Sequence, residues 1–179
     1  MSKQIELRLT GSGGQGLILG GIILAEAAIM DGKNAIQSQS YGPEARGGAS
    51  KAEVIISSEE IDFPKVQNVG LLLSLTQVAC NKYANDTKEN TIVLVDSSVE
   101  VSSDIVSKEV IRIPILQTAS EALKKPMVAN IIAIGAINGI MNIASKESLE
   151  AAVLNRVPKG TEDLNKKALE EGYKLIARG

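Results

Sequence analysis

Ile5-Glu6-Leu7-Arg8-Leu9-Thr10-Gly11-Ser12-Gly13-Gly14-Gln15-Gly16-Leu17 is the stretch that decides the fold. Apolar Ile5, Leu7 and Leu9 alternate with charged Glu6 and Arg8, the period of a strand with one side against a core. The strand runs into a glycine turn. The turn runs into an apolar, helix-length segment, Leu17 to Met30, stopped by Asp31-Gly32. Strand, tight turn and helix are the opening of a βα unit.

Outward from this unit, extended stretches are predicted over 34–40, 50–57, 69–76, 91–96 and 110–115. The run 69–76 is dense in apolar residues, as expected for a strand covered on both faces. Pro114 suggests an edge strand or a strand end. Helices are predicted over 77–85, 118–124 and 126–144, with Pro126 in the first turn of the last. Ser145 and Thr161 are expected to be N-caps of two further helices. Strands alternating with helices predict a single-domain α/β fold: a three-layer sandwich with a largely parallel, Rossmann-like sheet. The helical run after residue 116 exceeds what strict alternation needs. It would pack on one face or form an oligomer surface.

The 179 residues suit one domain with one core. A hydrophobic fraction of 44% with 22% charged residues argues against disorder. The formal net charge of -2 gives no basic stripe for nucleic acid. The longest apolar run, 128–144, is broken by Asn130, Asn138 and Asn142 and reads as a buried helix rather than a membrane span. Lys3 and Glu6 interrupt the first residues, so no signal peptide is expected and the expected location is cytoplasmic. There is no histidine, which removes Ser-His-Asp and Cys-His chemistry and imidazole metal ligands. Cys80 is the one cysteine. It cannot form a disulfide within the chain or hold a cluster that needs four thiolates. No catalytic residue and no metal ligand is therefore expected on this chain. Cys80 itself reads as a small buried hydrophobe, and Asp96, ending a strand, as a turn former.

The glycine loop matches two known patterns in part. Gly11-x-Gly13-x-x-Gly16 between strand and helix has the outline of a dinucleotide fingerprint. The acid expected roughly 20 residues on, at the end of the second strand, is missing, because that strand ends at Gln39-Ser40. The P-loop pattern fails too, since Leu17 and Ile18 stand where Lys and Ser/Thr are needed. Two readings stay open: a tight turn that binds nothing, or a cradle for an anion such as phosphate or pyrophosphate at a helix start. In the second, the Gln15 amide would point into the pocket as donor and acceptor.

A second loop, Ser40-Tyr41-Gly42-Pro43-Glu44-Ala45-Arg46-Gly47-Gly48, sets a phenol, a carboxylate and a guanidinium among turn formers. Arg46 can fork to a carboxylate or phosphate. A plain Glu44–Arg46 ion pair that only holds the loop is the competing reading.

Together the two loops resemble the paired signature of the gamma domain of 2-oxoacid:ferredoxin oxidoreductases. The resemblance extends through Asp62-Phe63-Pro64-Lys65-Val66, Val128-Ala129-Asn130 and Val157-Pro158-Lys159-Gly160-Thr161, nearly the whole chain. The Tyr41 form of the second loop resembles 2-oxoglutarate-type gamma subunits; pyruvate-type relatives tend to carry phenylalanine there. The resemblance implies oxidative decarboxylation of a 2-oxoacid with coenzyme A, giving acyl-CoA, carbon dioxide and reduced ferredoxin. It implies thiamine diphosphate, Mg and [4Fe–4S] clusters on alpha, beta and delta-type partner subunits, with coenzyme A shared by this chain. Gly11, Ser12, Gly13, Gly14, Gln15 and Gly16 would then meet the phosphate or pantetheine part of coenzyme A. Ser40, Tyr41, Gly42, Pro43, Glu44, Arg46, Gly47 and Gly48 would line the channel, with Tyr41, Glu44 and Arg46 facing a partner near the thiamine site. The long apolar helices point to a homodimer when partners are missing. Two alternatives remain: a pure scaffold subunit, and a stand-alone nicotinamide-dependent oxidoreductase, for which the chain lacks a ribose-binding acid and a proton donor.

Overall fold

The structure is a computed structural model, and it describes residues 4–40 and 48–178. Six strands are described: β1 (Gln4–Gly11), β2 (Asn34–Gln39), β3 (Ser50–Ser57), β4 (Leu71–Ser74), β5 (Ile92–Asp96) and β6 (Glu109–Ile113). The helices are α1 (Leu17–Met30), α2 (Gln77–Tyr83), α3 (Ile115–Gln117), α4 (Ala129–Met141), α5 (Lys146–Leu154) and α6 (Glu162–Ala177). The strands form one sheet in the order β2-β3-β1-β4-β5-β6.

The half of the sheet from β1 through β4 and β5 to β6 is parallel, as expected. The other half departs from a Rossmann-like arrangement, because β3 lies between β1 and β2 and runs antiparallel to both. The reason is chain length. A parallel crossover needs a dozen or more residues, and the connection between β2 and β3 is shorter, so the chain returns as a hairpin. The βα unit of β1, α1 and β2 is thus split by an inserted strand.

Two cores fill the faces. Successive strand residues point to opposite sides. Leu7, Leu9, Leu71, Leu73 and Leu94 meet α1, α4, α5 and α6 on one side. Leu72, Val93 and Val95 meet Ala79, Cys80 and Tyr83 of α2 on the other. Helix α4 is the central post of the thicker layer, with every residue from Ala129 to Asn138 buried. Its asparagines explain why an apolar run carries polar breaks. Asn138 accepts the Ala144 N–H at 3.0 Å and donates to the Ala144 carbonyl and the Tyr173 hydroxyl, both at 2.9 Å. Asn142, left-handed at φ 51°, ends the helix.

Local expectations held at some caps and not others. The Ser145 hydroxyl accepts the Ser148 N–H at 3.1 Å and caps α5. Thr161 does not cap α6. Its hydroxyl donates backward to the Pro158 carbonyl at 2.6 Å, because its backbone (φ -108°, ψ 8°) lacks the extended geometry of an N-cap. Pro126 opens a separate 3₁₀ turn, Pro126–Val128, ahead of α4. The helix predicted over 118–124 starts earlier, at Ile115, and loosens into a π turn at Thr118–Ala122.

Candidate functional site

The site lies at the end of the sheet where β1 stops. Gly11 is paired with Ser50 at the start of β3. The Ser50 hydroxyl lies 3.4 Å from the Gly11 carbonyl oxygen and donates to that of Ser12 at 3.2 Å. The Ser40 N–H donates to the Lys51 carbonyl at 3.1 Å. Both described flanks of the second loop, Ser40 and Gly48 to Ser50, therefore sit at the same sheet end as the glycine loop. Tyr41, Gly42, Pro43, Glu44, Ala45, Arg46 and Gly47 lie outside the described residues.

The glycine loop is built in two different ways. Gly11 and Gly16 are demanded by the chain itself. A Cβ on Gly11 would lie 2.3 Å from the Gln15 side-chain oxygen and 2.8 Å from Leu17 Cδ1. Gly16 has φ +72°, and a Cβ there would meet Asn130 Nδ2 at 2.6 Å. Gly13 and Gly14 are exposed, have no positive φ, and a Cβ on either would meet nothing within 4 Å. Nothing within the described chain requires glycine at these two positions.

The loop also sorts its polar groups. The Gln15 N–H donates to the Ser12 carbonyl at 3.2 Å, and the Gln15 side-chain oxygen accepts the Ser12 N–H at 2.8 Å. The Gln15 oxygen is thus engaged inside the turn, where the expectation had the amide pointing into the pocket as both donor and acceptor. The Gly16 carbonyl takes Gly20 N–H at 3.0 Å and Asn130 Nδ2 at 3.1 Å. Among the described residues, no hydrogen bond uses the N–H of Gly13, Gly14 or Gly16. Helix α1 begins with no side-chain cap and no acid in its first turn. Unpartnered N–H groups around a left-handed residue at a helix start are the groups from which anion sites are built.

Neighbouring groups hold this end together. Thr10, buried, donates to the Leu73 carbonyl at 2.7 Å and shares a 2.9 Å hydrogen bond with Ser74, tying β1 to β4. Asp96 accepts from Ser98 N and Oγ at 2.9 and 2.6 Å and from Leu116 N at 2.8 Å, the turn-forming role its position predicts. Arg8 pairs with Glu53 across the strands at 3.1 Å and with Asp86 at 3.2 Å. Cys80 is 2% exposed, and burial pushes its thiol above the ordinary range, so it behaves as a core residue. Sequence reading did not assign roles to Ser50 or Asn130. The signal for Asn130 was a polar side chain inside a helix otherwise buried all round.

A cavity of about 650 Å³ lies elsewhere, between α5 and α6, lined by Lys146, Glu150, Lys166 and Tyr173. It is at the far end of α1, where Asp31 receives Ser145. Its walls mix lysines with glutamates and match no motif of the sequence. Among the described residues, no helix is long and apolar enough to cross a membrane.

Residues 6–175 match the family model described as Pyruvate ferredoxin/flavodoxin oxidoreductase. The chain is 53% identical to 2-oxoglutarate synthase subunit KorC of Methanocaldococcus jannaschii over 174 residues, 95% of this chain and 92% of the relative. It superposes with a TM-score of 0.88 on the gamma subunit of a keto/oxoacid ferredoxin oxidoreductase from Geobacter sulfurreducens, at 46% identity, covering 98% of this chain and 97% of that one. It shares its fold with the 2-oxoglutarate:ferredoxin oxidoreductase of Magnetococcus marinus, solved with 2-oxoglutarate, coenzyme A and succinyl-CoA bound. There the TM-score is 0.87 at 23% identity, over 100% of this chain and 32% of that one. The chain belongs to the pyruvate ferredoxin/flavodoxin oxidoreductase family, as a gamma-type subunit of the 2-oxoacid:ferredoxin oxidoreductases.

Proposed function

We propose that this chain serves a 2-oxoglutarate:ferredoxin oxidoreductase by cradling the phosphate-bearing tail of coenzyme A on its glycine loop. In the reaction, 2-oxoglutarate loses carbon dioxide, its succinyl group forms a thioester with the coenzyme A thiol, and the electron pair leaves to ferredoxin. Thiamine diphosphate supplies the carbanion chemistry and iron–sulfur clusters carry the electrons. This chain's donor set does not fit a cluster, with one buried cysteine and no histidine. Those groups belong to alpha, beta and delta-type partners, and ferredoxin meets the assembled complex.

The observation that carries this reading is the pair Gly13 and Gly14. They are glycines where the chain's own packing asks for none, beside N–H groups that the protein leaves unused. A ligand pressed against the backbone explains both features. The dinucleotide alternative is disfavoured by topology. Strand β2 is separated from β1 by β3, so its end lies roughly 10 Å from β1 rather than beside it, and Gln39 and Ser40 bring no acid. The described flanks Ser40 and Ser50 lie at the same sheet end as the cradle, which supports a role for Tyr41, Glu44 and Arg46 in meeting a partner subunit.

The test is ferredoxin reduction by the complex purified with this chain, using 2-oxoglutarate, pyruvate and branched-chain 2-oxoacids, each with coenzyme A. Turnover with 2-oxoglutarate should exceed the others. Preference for another 2-oxoacid would overturn the substrate assignment. An unchanged KM for coenzyme A in a complex lacking this chain would overturn the cradle.

A further inference from the structure

We propose that Asn130 is a positioning residue for coenzyme A binding: by clamping the Gly16 carbonyl it fixes the direction of the loop's free N–H groups. The inference rests on the coenzyme A reading above and deepens it.

Asn130 is 5% exposed, on α4, 114 positions along the chain from Gly16. Its Nδ2 donates to the Gly16 carbonyl at 3.1 Å, and its Oδ1 accepts the N–H of Ile131 at 2.9 Å. The second bond satisfies one of the orphan donors in the first turn of α4, a helix without a side-chain cap. It also fixes which end of the amide faces Gly16, since only the NH₂ end can donate to a carbonyl. One side chain therefore joins the starts of α1 and α4, neither of which has a side-chain cap.

Gly16 is the residue whose left-handed backbone turns the loop into the helix. Its carbonyl is held from two sides, by Gly20 within α1 and by Asn130 from outside it. A carbonyl held this way cannot swing toward the ligand; its peptide plane, which carries the Leu17 N–H, is fixed, and with it the backbone torsions that set the Gly16 N–H. Without the clamp, the loop can rotate an oxygen toward an arriving phosphate, which repels it. Asn130 need not touch the ligand to matter.

The test uses the assembled complex and two thiol acceptors: coenzyme A, and pantetheine, which has the reactive arm and no phosphate. Asn130→Ala should raise KM for coenzyme A by about tenfold, the scale of a weakened hydrogen-bonding site for a charged group, with kcat at saturation and KM for pantetheine unchanged. Asn130→Asp keeps the shape and the acceptor for Ile131 but loses the donor to Gly16 and adds charge, so it should raise KM for coenzyme A further. It also serves as the second probe if the alanine variant leaves the complex. Gly14→Val is measured alongside. If Gly14→Val weakens coenzyme A and neither Asn130 variant does, the positioning role is wrong and the cradle stands. Equal losses with both thiols would show a merely structural role and overturn the inference. No effect of Gly14→Val on coenzyme A would remove the reading beneath it.

Discussion

The side-chain oxygen of Gln15 accepts the backbone N–H of Ser12, three residues back, at 2.8 Å, while the Gln15 N–H donates to the Ser12 carbonyl at 3.2 Å. The two residues close the turn reciprocally, so Gln15 staples the loop. Gln15→Ala should cost about 1 kcal/mol of stability and raise KM for coenzyme A. Gln15→Glu keeps an acceptor for Ser12 and puts a carboxylate at a helix start, where it gains about 0.3–1 kcal/mol. That variant should be at least as stable as the native chain in thermal melts, yet bind coenzyme A more weakly, most of all at low salt. A stable Gln15→Glu complex with native affinity would show that no anion approaches the loop.

Two glycines on the α4–α6 contact should respond with opposite sign. A Cβ on Gly172 would lie 2.2 Å from the Ile132 carbonyl oxygen and 2.8 Å from Ala136 N. Backbone cannot yield as a side-chain tip can, so Gly172→Ala should destabilise by about 3 kcal/mol or more, the upper part of the overpacking range. At Gly139 the nearest atoms are at 3.5–3.7 Å, ordinary contact. Gly139→Ala should stabilise by about 0.5–1 kcal/mol through helix propensity. Chemical denaturation of the two variants separates these outcomes.

Acid should find a weak point at Asp31. Its carboxylate accepts from the Ser148 hydroxyl, then the Ser145 N–H, and these bonds, with a contribution from Lys33, hold its pKa below the ordinary carboxylate value. A depressed folded-state pKa means stability that is present above the unfolded pKa, about 3.9, and lost as pH falls through the folded value. Asp31→Asn should therefore lower stability at neutral pH and flatten its decline below about pH 4. A denaturation series against pH would show an unchanged acid slope if the Ser145–Ser148 contact contributes nothing.

Much of this architecture is written locally. Helix α1 runs from Leu17 to Met30, the bounds that the glycine turn and Asp31-Gly32 predict, and β3 from Ser50 to Ser57, the extended stretch predicted around Val54-Ile55-Ile56. The direction of β3 was harder to read, because alternation is the same in parallel and antiparallel strands; only the shortness of the preceding connection shows it. Thr161 has the composition of a cap but not the backbone for one. The contact between Asn130 and Gly16 joins distant parts of the chain, and no local period encodes which buried amide meets which carbonyl. Gln15 carried a hint in its spacing from Ser12, the Ser-x-x-Gln interval at which a Gln side chain reaches back to the backbone N–H three residues before it.

Calorimetric titration of coenzyme A into the assembled complex carrying Gly13→Val together with Gly14→Val tests the cradle most directly. Both side chains would enter open space, so folding stability should stay within about 0.5 kcal/mol of native. The account predicts a loss of affinity of at least about tenfold, the worth of one charge-assisted hydrogen bond. Native affinity in a complex that retains the altered chain would contradict it.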